Sequence, residues 1–242
     1  MSTTELQYHI KLKKGDVGRY VLLPGDPGRV PLIASYLTDA RKIAENREHQ
    51  TFTGTLDGVP VSVTSTGIGG PSTAIAVEEL AKIGADTFIR VGTSGKMQNY
   101  MSSGDLIVVS AAIRDEGTAL QYMPMAFSAV ADLDVVNCLR NACEVLAATY
   151  HVGISHSKDS FYGEVEPERM PMANLLKERW QAWVKCGALC SEMEAAALYV
   201  IARTLGIRAG GLMIAHGTHN SLELLCKTAV ESVRQLIRLD SN

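Results

Sequence analysis

Residues 61–84, VSVTSTGIGGPSTAIAVEELAKIG, contain a strand pattern, a glycine-rich turn and a helix pattern in immediate succession. Val61–Ser65 is an apolar, β-branched run that is typical of a buried strand. Pro71–Gly84 begins with an early proline and ends at a glycine, which is the usual asymmetry of a helix. A second apolar run, Thr87–Gly92, follows directly. This strand–helix–strand order predicts a sheet that is covered by helices.

The same alternation continues on both sides of residues 61–92. Four further apolar runs are predicted as strands: Tyr20–Pro24, Leu106–Ala112, His151–Ser157 and Gly211–Ala215. Three further segments are predicted as helices: Asp134–Tyr150, Glu192–Gly206 and Leu222–Leu239, the last with Asn220 or Ser221 as its N-cap. No linker or repeat interrupts them, so we expect a single domain over residues 1–242. Arg114–Asp132 and Phe161–Ala173 are predicted as long irregular segments of the kind that often have a function.

Composition excludes several classes of protein. The 242 residues are 46% hydrophobic, and 23 basic against 26 acidic residues give a net charge of −3. This balance argues against a protein that binds nucleic acid or a membrane through a basic surface. No apolar run reaches the roughly 18–20 residues that span a bilayer. Five cysteines without an apolar leader predict reduced thiols and a cytoplasmic protein.

Three glycine-containing clusters follow predicted strands: Pro24–Arg29 (PGDPGR), Thr66–Thr73 (TGIGGPST) and Arg90–Gly95 (RVGTSG). Glycine lets backbone N–H groups approach an anion, and arginine offers a forked donor to phosphate. A purely structural interpretation stays open for the first two clusters: a tight turn with a surface arginine for Pro24–Arg29, and close packing of the backbone in a strand–helix turn for Thr66–Thr73. The second cluster matches neither the dinucleotide motif nor the Walker A loop, so neither of those sites is expected.

A fourth cluster, Ser191–Glu194, precedes three alanines. Its carboxylates are candidates for binding sugar hydroxyls, with Met193 as an apolar wall. The same residues also fit a helix capping box with Ser191 as N-cap and Glu194 at the third helical position. Spacing alone does not separate the two interpretations.

Taken together, these motifs resemble the nucleoside phosphorylase family of the hexameric purine/uridine type, most of all its uridine branch. The resemblance runs from about His9 to Gly211 and rests on GDPGR, NRE, STGIGGPST, RVGTSG, DSFYG, PER and SEMEAAAL. It implies one α/β domain with three layers and a mixed central sheet. It also implies active sites shared within a dimer, usually three dimers to a homohexamer. The implied reaction is reversible phosphorolysis of a nucleoside to free base and ribose 1-phosphate, with orthophosphate as co-substrate and no cofactor.

The resemblance assigns roles to individual residues. The phosphate positions are Gly25, Arg29, Arg90 and Thr93, with Arg47 reaching across the dimer interface. The ribose positions are Glu192, Met193 and Glu194, with His9 from the neighbouring subunit. The base positions are Ser94, Gly95, Phe161, Glu164 and Arg169. Arg90, Glu194 and Arg169 would be catalytic, and Glu48, Ile68 and Ser72 match a site for K⁺ between subunits in some relatives.

The sequence departs from the family pattern at two places. Glu164 stands where uridine phosphorylases have a glutamine, and a carboxylate accepts hydrogen bonds but does not donate one to a carbonyl. Uracil affinity should then fall or the preferred base change, unless Glu164 points to solvent. The loop after Ile214 is short, and His216 or His219 in it could contact the base.

These departures leave two alternatives to a phosphorylase acting on uridine. One is a purine nucleoside phosphorylase or nucleosidase on the same fold, although the acidic Ser-Asp motif of the purine branch is absent. The other is a catalytically impaired homologue that binds nucleosides.

Overall fold

The computed structural model describes residues 5–215 and 219–241, with only the backbone for residues 219 and 220. Within these ranges the strands are Tyr20–Pro24 (β1), Thr38–Asn46 (β2), His49–Leu56 (β3), Val59–Thr64 (β4), Thr87–Lys96 (β5), Leu106–Asp115 (β6), Ala129–Val130 (β7), Tyr150–Lys158 (β8), Cys190–Glu192 (β9) and Arg208–Ala215 (β10). The helices are Val30–Ala34 (α1), Gly70–Lys82 (α2), Leu133–Val145 (α3), Phe161–Val165 (α4), Ala173–Lys185 (α5), Ala195–Leu205 (α6) and His219–Asp240 (α7).

The sheet is mixed, as the resemblance implied. Its centre is parallel, because β1 pairs with β4 and β5, and β10 pairs with β5 on the other side. The carboxyl ends of β1, β4, β5 and β10 therefore lie at one edge, which is where ligands bind in open α/β sheets. Antiparallel β6 and β9 join this centre to β8, so β5, β10, β6, β8 and β9 close into a ring. This closure was not predicted from the sequence.

Helices cover both faces of the sheet. The neighbours of two adjacent glycines of β10 show which helix lies on each face. A Cβ on Gly210 would contact Val135 and Leu139 of α3, whereas a Cβ on Gly211 would contact the Tyr199 hydroxyl of α6. Successive strand residues point to opposite faces, so α3 and α6 lie on opposite sides of β10. The three-layer α/β/α prediction is confirmed.

Several predicted boundaries shift, for identifiable reasons. The helix predicted over 134–150 ends at Val145, because β8 already begins at Tyr150. The hairpin of β2 and β3 was missed, since β2 is exposed and charged rather than apolar. The N-cap prediction for α7 was wrong: the helix begins at His219, so residues 220 and 221 lie inside it.

The described residues bear on two predictions, the absence of a membrane-spanning segment and the reduced state of the cysteines. No helix there is long and apolar enough to cross a membrane. All five cysteines are free thiols, and four of them are buried in the way expected of small hydrophobic residues. Cys186, at the end of α5, is the exposed exception.

Candidate active site

A cavity of about 840 Å³ opens at the carboxyl edge of the central strands. It lies where the three glycine clusters and the Ser191–Glu194 cluster meet, so residues far apart in the chain are neighbours there. The predicted site residues that line it are Gly25, Arg29, Glu48, Ile68, Ser72, Arg90, Thr93, Ser94, Gly95, Phe161, Glu164, Glu192, Met193 and Glu194.

Arg90 on β5 is a buried cation of this cavity, with 5% of its surface exposed. Its Nε lies 3.0 Å from Glu192 Oε2, and its Nη2 forms an ion pair with Glu194. Burial alone acts to lower the pKa of Arg90, but Glu194 and Glu192 outweigh it and raise that pKa, so the guanidinium stays charged. Nη1 is buried and has no hydrogen-bond partner in the described residues. A buried charged donor without a partner is costly unless a ligand accepts from it.

The glycine loops bring backbone close to that unpartnered nitrogen. A Cβ on Gly25 would lie 3.2 Å from the Gly67 carbonyl oxygen and 3.9 Å from Arg90 Nη1. Gly67 has φ +73°, and a Cβ there would lie 2.6 Å from both Glu48 Cγ and Ser72 Oγ. The first loop therefore approaches Arg90 because it has no side chain at residue 25, and Gly67 requires both the left-handed conformation and the missing Cβ.

Arg29 is a second cation at the same cavity. It ends a 3-10 turn, Pro27–Arg29, which Asp26 caps by accepting from the Gly28 N–H at 2.8 Å. Its Nη2 donates to Thr93 Oγ1 at 3.2 Å, which links the first cluster to the third. Two guanidinium groups and a threonine hydroxyl at one cavity form a surface that fits a small oxyanion.

Glu192 and Glu194 differ in how many hydrogen bonds they accept from the chain itself. Glu192 Oε2 accepts from the N–H groups of Glu194 and Ala195, each at 2.8 Å, and also from Arg90. Its other oxygen accepts from Ser155 and Ser157, so this carboxylate is saturated within the chain. The capping-box alternative is wrong, because Ser191 belongs to β9 and Glu194 itself is the N-cap residue of α6. The N–H groups of Glu194 and Ala195 donate to the Glu192 carboxylate instead.

Glu194 contacts the glycine loop as well as Arg90. Its Oε1 accepts from the Gly69 N–H at 2.6 Å, which joins the second and fourth clusters. Burial raises the pKa of Glu194, and the charge of Arg90 acts against that shift. Because Glu194 depends on Arg90 for a compensating charge, the two side chains form one electrostatic unit.

Glu164 lies inside the cavity wall and does not point to solvent. Its carboxylate is 2.7 Å from Lys158 Nζ and accepts from the Ser191 hydroxyl. Lys158 also lines the cavity and is 7% exposed. Lys158 was not among the predicted site residues, although its position directly after the predicted strand His151–Ser157 was the available signal.

Comparison with known proteins agrees with this geometry. Residues 19–238 match the model of the phosphorylase superfamily. The chain belongs to this superfamily. It is 44% identical to the uridine phosphorylase of Treponema pallidum, over 99% of this chain and 97% of the relative. It is 55% identical to the uridine phosphorylase of Thermococcus kodakarensis, over 85% and 75%. It is also 36% identical to the guanosine phosphorylase of Halorubrum lacusprofundi, over 98% and 97%.

Three residues that the phosphorylase resemblance assigned to the site lie outside the cavity lining. His9 donates from its backbone N–H to Glu79, and its ring Nδ1 lies 2.7 Å from the same carboxylate. Arg47 occupies the tight turn between β2 and β3 with φ +56°. Arg169 is exposed and forms an ion pair with Glu166, so its contact with the base stays a prediction.

The three cation-site residues of the resemblance lie together at one corner of this phosphorylase cavity. Ser72 Oγ lies 3.0 Å from Glu48 Oε1 and also donates to the Thr66 carbonyl. No group of three His, Cys, Asp or Glu side chains with metal-site geometry occurs in the described part of the chain. The two candidate base contacts of the short loop, His216 and the side chain of His219, lie outside the described residues.

Proposed function

We propose that this chain is a pentosyltransferase that catalyses the phosphorolysis of uridine to uracil and ribose 1-phosphate. The observation that carries the proposal is Arg90, whose buried and unpartnered Nη1 lies beside Gly25 at the cavity that Arg29 and Thr93 also line. An orthophosphate bound there would supply the missing acceptor. The uridine phosphorylases at 44% and 55% identity support uridine as the nucleoside.

The arrangement suits a substitution at the anomeric carbon. As the glycosidic bond breaks, its electron pair leaves with the base, and a phosphate oxygen forms the new bond to the ribose. Positive charge develops on the ribose, and a phosphate held by Arg29 and Arg90 lies beside it. Glu194 accepts from the Gly69 N–H and pairs with Arg90, and we assign its remaining lone pairs to the ribose hydroxyls, since Glu192 is saturated. Such positioning of the reactants can lower the activation free energy by about 7 kcal/mol in well-oriented systems.

The departing base anion needs donors or a proton. Ser94 and Gly95 at the end of β5 line the same cavity, as does Phe161, which offers an apolar face. We expect Arg169 to join them when substrate is bound, since it ends the 3-10 turn Pro167–Arg169 that follows α4 and is exposed in the free chain. The base takes its proton from water after the bond has broken.

Two segments support a site that is completed by a second copy of the chain. The carbonyl of His9 accepts from Asn46 Nδ2 at 2.7 Å, so the segment with His9 adjoins the turn with Arg47. Neither His9 nor Arg47 lines the cavity of its own chain. Ile68 at the cavity rim is 76% exposed, which suits a contact between subunits. We therefore propose a dimer that exchanges His9 and Arg47, within a homohexamer.

We also propose a monovalent cation near Glu48, Ser72 and the backbone of Ile68. A carboxylate, a hydroxyl and carbonyl oxygens are ligands that suit a hard cation. The assay is the melting temperature of the protein in K⁺ against a bulky organic cation at equal ionic strength.

The test of the proposed reaction is a nucleoside panel assayed with and without phosphate. Uridine should release base only with phosphate. Guanosine and inosine belong in the panel because one similar protein is a guanosine phosphorylase. Base release without phosphate would indicate a nucleosidase, and tight nucleoside binding without turnover would indicate an impaired homologue.

A further inference from the structure

The inner wall of the cavity contains an ion pair between Glu164, a candidate base contact, and Lys158, which has no assigned role in the reaction. Lys158 ends β8, and its Nζ lies 2.7 Å from Glu164 Oε2 and 2.6 Å from Ser191 Oγ. Ser191 donates in turn to the same Glu164 oxygen. These three side chains form a closed hydrogen-bonded triangle in the lining of the active-site cavity, which Phe161 also lines.

The triangle leaves one acceptor and one donor unused. Both of its contacts to Glu164 use Oε2, and Oε1 accepts no hydrogen bond from any residue the structure describes. An ammonium group has three hydrogens. Two of them serve Glu164 and Ser191, so the third is available.

His156 contacts the triangle on the side that faces away from the active-site cavity. Both Lys158 and Glu164 line the active-site cavity and a second cavity of about 600 Å³, so they form the wall between the two. His156 stands at that wall, with Nδ1 3.4 Å from Ser191 Oγ and 4.0 Å from Glu164 Oε2. Its Nε2 is bonded to Asp115, which also pairs with Arg179.

We propose that Lys158 and Glu164 together select the base, taking bases that present an N–H beside a carbonyl. This proposal rests on the proposed phosphorolysis. The carboxylate accepts from the N–H, and the ammonium donates to the neighbouring carbonyl oxygen. Uracil has this edge at N3 and O4, and the 6-oxopurines have it at N1 and O6. The ammonium thus supplies the donor that a carboxylate in place of glutamine lacks.

The pair differs from an amide in one respect that can be measured. A glutamine amide can rotate by half a turn and exchange its donor and acceptor, so it fits either polarity of a base edge. A lysine only donates and a carboxylate only accepts, so the polarity of this wall is fixed. Cytosine and adenine present the reversed edge, a ring nitrogen acceptor beside an amino donor. The wall should therefore exclude them more strictly than an amide does.

A double-mutant cycle tests the pair. Lys158→Met removes the donor, and kcat/KM for uridine should fall by about 10- to 100-fold, the usual effect of losing one hydrogen bond from a charged group. Lys158→Met combined with Glu164→Gln puts a self-sufficient amide at the wall. The kcat/KM of the double variant for uridine should be at least about tenfold higher than that of Lys158→Met alone. Its preference for uridine over cytidine should fall by about tenfold relative to wild type.

The control variant is Lys227→Met, which breaks a similar lysine–glutamate pair on the exposed face of α7 and should leave both nucleosides unaffected. Uracil binding in the presence of phosphate, measured by calorimetry, is the readout that does not depend on turnover. Lys158→Met should weaken it by the same factor as kcat/KM.

The outcomes separate the inference from the proposed reaction. If wild type phosphorolyses uridine and Lys158→Met is unaffected, or the double variant is no better than the single one, the inference is overturned and the reaction stands. If wild type has no turnover, calorimetry alone decides the inference. If Lys158→Met does not fold, the uridine-to-cytidine ratio of the double variant decides: a lower ratio supports the inference, and an unchanged ratio overturns it.

Discussion

Replacing Arg90 by lysine or by methionine separates the charge of this residue from its geometry. Arg90 places its three nitrogens in three different positions: Nε pairs with Glu192, Nη2 pairs with Glu194, and Nη1 is buried without a partner among the described residues and is assigned here to phosphate. Lysine keeps the charge but has a single nitrogen at the end of its side chain. It therefore cannot occupy the positions of Nε, Nη1 and Nη2 at once. Methionine keeps a similar volume and removes the charge.

The magnitudes follow from the contacts. Loss of one hydrogen bond to a charged partner costs about 1.5–3 kcal/mol, so Arg90→Lys should raise the KM for phosphate by about 10- to 100-fold. It should lower Tm by about 3–12 °C in a domain of this size. Arg90→Met leaves Glu192 and Glu194 buried without a cation, which costs about 3–5 kcal/mol and should lower Tm by about 6–20 °C.

The assay is initial-rate kinetics with phosphate and uridine varied separately, together with thermal unfolding. Arg234→Lys is the matched control, since it pairs with Asp57 and Glu231 on the surface of α7 and should change neither KM. An Arg90→Lys variant with an unchanged KM for phosphate would refute the assignment of Nη1 to the phosphate. Equal rises in both KM values would show that the substitution disturbs the whole cavity.

Three further predictions concern stability and reactivity. Of the five cysteines, only the exposed Cys186 should react with a thiol reagent at pH ~8 in the native protein, whereas burial raises the pKa of Cys226 to about 11. The hydrogen bond from Arg208 lowers the pKa of Asp240, so its contribution to stability is present above the ordinary aspartate value of about 3.9 and is lost as pH falls through the folded value. Asp240→Asn should therefore lower Tm near neutral pH, and its difference from wild type should shrink between about pH 5 and pH 3; a constant difference would contradict this. Asp132 caps α3 by accepting from the next helical N–H groups, and Asp132→Ala should lower Tm by about 1–8 °C with unchanged kcat.

The parallel centre of the fold was predictable because its strands are covered on both faces. Tyr20–Pro24 is buried at every position, so its apolar run predicts the strand with its true boundaries. Thr38–Asn46 is an exposed edge strand of mixed polarity, and no local pattern distinguishes it from a loop. The ring of five strands depends on pairings between distant segments such as Gly95 and Ser191, which periodicity does not encode.

The site was predictable where its motifs lie on the ends of strands, and less so where side chains pair across the fold. The glycine clusters and Arg90 meet as expected, because parallel strands end at one edge. The saturation of Glu192 depends on Ser155 and Ser157 of another strand. The pairing of Glu164 with Lys158 likewise depends on how α4 lies over β8, and a residue alignment alone predicts only the missing donor.

The most direct test of the central claim is the stoichiometry of uridine cleavage as phosphate is varied. The claim is that Arg29 and Arg90 hold an orthophosphate that attacks the ribose. Uracil and ribose 1-phosphate should form in equal amounts, at a rate that saturates with phosphate and vanishes without it. Release of uracil together with free ribose, at a rate independent of phosphate, would contradict the account.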